Sequence, residues 1–95
     1  MTVGFTYEVP ATEEIYFKVK ALIGDEQPKG LISHVVTKTP GGLRHTEVWD
    51  SQEDWVRFDT ERRGPALGQV LGELGITPEP PTVDRLEVVD TWVGA

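Results

Sequence analysis

The sequence predicts an α+β fold with the element order β-α-β-β-α-β, in which one antiparallel sheet carries helices on one face. Three observations lead there. Apolar residues alternate with period two from Val3 to Val9. A β-branched stretch before Pro40-Gly41-Gly42 is answered by another after it. Apolar stripes at helical spacing fall after the first and third of these strands. In the first strand Val3, Phe5, Tyr7 and Val9 face one way and Thr2, Gly4, Thr6 and Glu8 the other, until Pro10 ends it. Thr12 offers an N-cap, with Glu13 and Glu14 in the first turn where carboxylates favour the helix dipole. The helix behind it presents Ile15, Val19 and Leu22 as a stripe, flanked by Tyr16 and Ile23. A polar loop bracketed by Gly24 and Gly30 follows. Leu31 to Lys38 and Leu43 to Asp50 then form a hairpin, because Thr39-Pro40-Gly41-Gly42 has Pro and Gly where a tight turn needs them.

Ser51 is the next N-cap, with Asp54 three residues on in a capping-box arrangement. Trp55 and Phe58 lie one turn apart on a helix whose charges run from Glu53 and Asp54 to Arg62 and Arg63. Gly64-Pro65 breaks or kinks it, and Leu67, Val70, Leu71 and Leu74 make a second stripe before Gly75. Ile76 to Thr82, with its prolines, is an extended connector, and Val83 to Val93 is the last strand, with Leu86, Val88 and Trp92 on one face. Right-handed crossovers turn this order into the ferredoxin-like split βαβ, a single domain over residues 1–95. The face away from the helices carries Thr2, Gly4, Thr6, Leu31, Ser33, Val35, Thr37, Thr46 and Val48, a smooth surface that needs cover. A second copy is the simplest cover, so a homodimer joined sheet to sheet is expected.

Composition narrows the function classes. A chain of 95 residues buries only about 60–65% of its unfolded surface, so its core is thin. Cysteine is absent, which removes disulfides and thiolate chemistry. Nine Lys and Arg against sixteen Asp and Glu give a net charge of −7, which disfavours nucleic acid and anionic membrane as partners. No apolar run approaches the roughly 20 residues of a membrane helix, and the opening Met1-Thr2-Val3-Gly4 lacks the blocks of a signal peptide. A soluble cytoplasmic protein is the expectation.

Candidate chemistry sits on the hairpin. If it closes around Pro40-Gly41, Lys38 lies opposite Leu43, Val36 opposite His45, His34 opposite Glu47 and Ile32 opposite Trp49. The last six then share one face. Opposed Cβ atoms are about 4.5–5.5 Å apart, so His34 and Glu47 can hydrogen-bond, Glu47 fixing the imidazole tautomer and raising its basicity as a general base requires. His45 lies diagonally across, and Tyr7 and Asp90 complete a polar set if their strands place them there. A one-residue slip would dissolve the constellation. The competing reading is a half-buried polar pair that stabilises a strand. Two features favour function: the face is otherwise apolar, with Val3, Phe5, Tyr7, Ile32, Val36, Trp49, Leu86 and Val88, and both histidines fall on it. Trp55 and Phe58 read as core, and Arg44, Arg62 and Arg63 as solvated charges, the alternative being that they bind a substrate carboxylate. His34, His45 and Glu47 match a two-His, one-carboxylate set, but their spacing is no metal signature.

Several of these stretches also resemble a known group. Gly30-Leu31-Ile32-Ser33-His34-Val35-Val36, the turn Gly41-Gly42-Leu43-Arg44, and Glu47-Val48-Trp49-Asp50-Ser51-Gln52-Glu53-Asp54-Trp55 are similar to the dimeric α+β barrel superfamily, in particular its antibiotic biosynthesis monooxygenase (ABM) branch. The strand-end Trp-x-Ser before an acidic first turn is the most telling piece, and Arg63-Gly64-Pro65-Ala66-Leu67 resembles the continuation in small members. The resemblance implies a dimer whose sheets form a barrel, with a pocket in each subunit between sheet and helices. It also implies work without metal or cofactor; haem-degrading relatives carry a His on the helix after that Trp, and Ser51 to Leu74 has none. The implied activity is cofactor-independent oxidation of a small aromatic or polyketide-like compound. In that reaction His34 is the base, Glu47 orients it, His45 or Tyr7 bonds the substrate oxygen, and Trp49, Phe5 and Trp92 wall the ring. A cyclase or isomerase would use the same base without oxygen, and a non-catalytic metabolite binder or a structural protein is the alternative.

Overall fold

The computed structural model describes residues 2–92. The elements are β1 (Val3–Val9), α1 (Glu13–Ile23), β2 (Leu31–Thr39), β3 (Gly42–Trp49), α2 (Gln52–Phe58), a π-helical turn (Asp59–Arg63), α3 (Gly64–Glu73) and β4 (Asp84–Leu86). Local signals start the helices. Thr12 Oγ1 accepts from the Ile15 N–H at 3.2 Å, and Ser51 Oγ accepts from the Asp54 N–H at 3.2 Å while donating to Asp54 Oδ2 at 3.0 Å. Gly42, at φ +149°, follows the hairpin turn where an added Cβ would lie 2.1 Å from the Val9 carbonyl oxygen, so only glycine lets β1 end against β3.

The sheet order is β2-β3-β1-β4 with every pair antiparallel, the ferredoxin-like arrangement in which β3 lies between the strands that α1 connects. Strict alternation along β3 buries Leu43, His45, Glu47 and Trp49 on the helix side, where Val3, Phe5 and Tyr7 join them. Apolar packing falls into two clusters. Val3, Phe5 and Trp49 meet Leu31, Trp55 and Phe58; Val19, Ala66 and Val70 meet Ile15 and Ile23.

Four expectations are corrected. The hairpin register holds from Val36↔His45 and His34↔Glu47, but a bulge between Leu31 and Ser33 puts Leu31, not Ile32, opposite Trp49. Leu31 therefore packs inward rather than on the open face. The last strand spans Asp84–Leu86 instead of Val83 to Val93, because Gly4 pairs with Leu86 and β1 ends one residue further on, at Val3. The same register turns Leu86 and Val88 to the open face, over Gly4, and Arg85 to the helix side, where it bonds Gln52 at 3.1 Å. Val89 and Trp92 are 98% and 94% exposed, and Val93 lies outside the described residues. In the helices, Ile23 replaces Leu22, and Ala66 replaces Leu67 and Leu74, as inward residues. Gly64-Pro65 does not break the helix: the π turn carries it through.

Candidate active site

Glu47 is the centre. It sits between His45 and Trp49 on the buried side of β3 and is 1% exposed. A carboxylate this deep costs several kcal/mol unless it is paired and hydrogen-bonded. Three donors meet it. The Tyr7 hydroxyl and Arg63 Nη1, the latter at 2.7 Å, donate to Oε2; the Trp49 indole N–H donates to Oε1 at 3.0 Å. Burial pushes the Glu47 carboxyl up, but the Arg63 cation and the Tyr7 and Arg63 hydrogen bonds override it, and the group lies below its ordinary value, ionised. Tyr7 is raised, first by burial and then by Glu47 against the pull of Arg63, so it remains a protonated donor.

The imidazoles lie beside this carboxylate. His34 Nε2 and His45 Nδ1 are 3.0 Å apart, so one ring donates to the other. His45 stacks on Tyr7 with ring centres 4.9 Å apart, and Tyr16 of α1 meets His45 edge-on at 5.6 Å. Burial, helped by the neighbouring His34, brings His45 down to about 4. Burial also lowers His34, Glu47 pulling it up and Arg63 and Lys20 pushing it down. Both rings are uncharged near neutral pH. The expected His34–Glu47 hydrogen bond is not made: His34 Nε2 is 3.9 Å from Glu47 Oε2. That oxygen already holds Tyr7 and Arg63, so His34, on an edge strand with its side chain 26% exposed, turns to His45.

Tyr7, His34, His45, Glu47 and Trp49 are thus brought together. Phe5 is not part of the network; it stacks on Trp55 at 3.9 Å within the apolar cluster. Trp92 stands in solvent, and Asp90, also exposed, accepts from the Thr91 N–H at 2.9 Å, so neither lines a site with Trp49. Two outward clefts, of about 550 Å³ against α2 and about 280 Å³ between α1 and α3, do not touch the imidazoles. Arg63, expected as a solvated charge, is instead drawn into the network. It is 14% exposed, bonds Asp59 Oδ1 at 3.0 Å as well as Glu47, and lies 5.7 Å from the Tyr7 ring centre. Its signal was the proline two residues on, in the middle of a helix.

His34, His45 and Glu47 bring three donor atoms within 4.8 Å of one another, with imidazoles uncharged and carboxylate ionised as metal ligation requires. Their carboxylate, however, already has a buried guanidinium as counter-ion, which a cation would have to displace. The donor set suits proton movement better: a half-exposed imidazole, a buried imidazole bonded to it, and a fixed negative charge within reach.

No family model matches the chain, and no curated protein does. Solved structures do. A proposed antibiotic biosynthesis monooxygenase from Chloroflexus aurantiacus J-10-fl is 18% identical with a TM-score of 0.66, covering 98% of each chain. A Nitrosomonas europaea protein of unknown function is 10% identical with a TM-score of 0.72, over 99% of this chain and 95% of that one. A Streptomyces coelicolor monooxygenase in complex with nanaomycin D is 17% identical with a TM-score of 0.55, over 99% of this chain and 91% of that one. Matched nearly end to end, the chain has the ferredoxin-like α+β fold of ABM-like proteins.

Proposed function

We propose that this protein is a cofactor-independent oxygenase acting on a small, acidic aromatic or polyketide-like compound, with His34 as the base. The observation that carries the proposal is the setting of His34: it meets solvent, bonds a second imidazole at 3.0 Å and lies 3.9 Å from an ionised carboxylate. An unprotonated His34 accepts the proton of a substrate phenol or enol. The imidazolium so formed is stabilised by Glu47, and the charge can be shared with His45. Because burial weakens this base, it suits hydroxyls already acidified by an adjacent carbonyl. The electron-rich anion then reacts with dioxygen. A ring methylene becomes a carbonyl with one oxygen atom, and the second leaves as water with the two hydrogens, so no outside reductant is needed. That a monooxygenase of this fold binds nanaomycin D supports the substrate class.

The test is oxygen uptake over a panel of phenolic and polyketide-like substrates. His34→Ala is expected to lower turnover by about 100-fold or more, and activity should fall on the acid side of the ordinary histidine range as His34 protonates. Undiminished turnover by His34→Ala would sink the assignment. The same reading takes the protein as one cytoplasmic domain that pairs through the open sheet face, where Val35 is 52% exposed and Leu86 is also bare. A second, non-catalytic reading is favoured by the internal saturation of Glu47 and the distance of both clefts from it. The network would then hold the helices to the sheet, and His34→Ala would cost stability while no substrate consumed oxygen.

A further inference from the structure

Arg63 reaches Glu47 from the helical layer, and it does so off the π turn. Helix runs from Gln52 to Glu73 with Pro65 inside it. Pro65 has no N–H to donate, and its ring would collide with the carbonyl of residue 61 in a regular α-helix. The wider turn relieves this: the Gly64 N–H bonds the Asp59 carbonyl, five residues back. Gly64 is needed as well, because a Cβ there would lie 2.7 Å from that same oxygen. At 3.6 residues per turn, residue 63 would lie about 140° round the helix from Phe58. The π turn instead brings the Arg63 guanidinium to 5.2 Å from the Phe58 ring centre, and from there to Glu47 and Asp59.

We propose that Arg63 is a positioning residue: clamped by the Gly64-Pro65 π turn between Asp59 and Glu47, its guanidinium serves as the buried carboxylate's permanent counter-ion and leaves the His34 lone pair free for a substrate proton. Glu47 needs a cation, and two groups can supply one, Arg63 at 2.7 Å and a protonated His34 at 3.9 Å. Without Arg63 the second fills the role, and the base is spent as an ion-pair partner. The charged and titratable groups around His34 agree. From β3 they are His45 and Glu47, from β1 Tyr7, from α1 Tyr16 and Lys20, and from the π turn Arg63 with Asp59 behind it. Of those acting on His34, Glu47 draws a proton in, while Arg63 and Lys20 repel it. This inference rests on His34 being the base, but its test needs no turnover.

The chain has two histidines, so both imidazole C–H resonances can be followed by NMR through a pH titration. Arg63→Met is expected to raise the His34 midpoint by about one pH unit or more. Arg63→Lys should restore most of the wild-type value. Gly64→Ala, which keeps the guanidinium but obstructs the turn, should reproduce Arg63→Met. A folded Arg63→Met or Gly64→Ala protein with His34 at its wild-type midpoint overturns the inference. Should those variants not fold, the wild-type protein decides. A Glu47 carboxyl carbon that stays at its ionised shift while His34 remains neutral at about pH 6 upholds the inference, and a protonated His34 there overturns it. Absent oxygen uptake with an intact titration pattern would remove the oxygenase reading alone.

Discussion

The two faces of the sheet are built from alternate residues of the same strands, yet opposite kinds of interaction hold them. On the helix side, Glu47, Tyr7, Trp49 and Arg63 satisfy one another out of reach of water. On the open side, Arg44 donates to Thr6 Oγ1 at 3.1 Å and Thr6 donates to the His45 carbonyl at 3.0 Å, both side chains half-exposed. Water can replace any partner lost from the second set. Water cannot replace one lost from the first, where a remaining polar group is stranded in a desolvated site unless another member of the network, as His34 for Arg63, takes over. A single residue step along β3, from Thr46 to Glu47, separates a tolerant surface from an intolerant one.

The strongest way to break this contrast is Glu47→Ala. It leaves the largely buried Arg63 cation with Asp59 alone and strands two neutral donors, and an expected loss of about 3–5 kcal/mol would be read from denaturant unfolding. A loss no larger than that of an open-face variant would show the two faces to be alike.

Acid is the next lever. His45 is lowered from 6.5 to about 4, so between those values the unfolded chain binds the proton that the folded chain refuses. Stability is therefore complete above pH 6.5 and declines as pH falls toward 4, by about 3 kcal/mol in all. His34 acts in the same direction. Glu47, whose folded value is depressed, adds a loss that begins near its ordinary 4.5 and grows as pH falls through that folded value. Unfolding midpoints measured from pH 7 to 4 should show the slope, and His45→Phe should flatten its upper part.

Smaller effects sharpen the other side. Thr6→Val removes the Arg44 hydrogen bond and should cost less than about 1 kcal/mol, measured by thermal unfolding. Val35→Asp should change monomer stability by no more than about 0.5 kcal/mol. Its readout is mass in solution: sedimentation should report a dimer for wild type and a monomer for Val35→Asp if the open face is the pairing surface. Equal mass for both would detach that face from assembly.

Much of the architecture was legible in the residues. Period-two alternation marked β1, Pro40-Gly41 marked the hairpin, Thr12 and Ser51 marked helix starts, and counting back from the turn placed His34 opposite Glu47. Counting failed at Leu31, where a bulge adds a residue, and in the last strand, whose face depends on which β1 residue it meets. Within the site, two opposed residues were read as bonded although opposition brings Cβ atoms close without choosing partners. The choice fell to Arg63, sixteen residues away from Glu47 in sequence.

By itself, then, the sequence determined most of what depends on neighbours within about a turn or a hairpin: element order, caps, the turn, and the facing of alternate residues as far as the bulge at Leu31. Only the tertiary structure decided how those pieces meet: the pairing of β4, the helix phase across the π turn, and the competition of four groups for one carboxylate. The physical reason is range. Backbone periodicity is set locally, whereas the partner of a buried charge is whichever donor the folded chain delivers first at hydrogen-bonding distance.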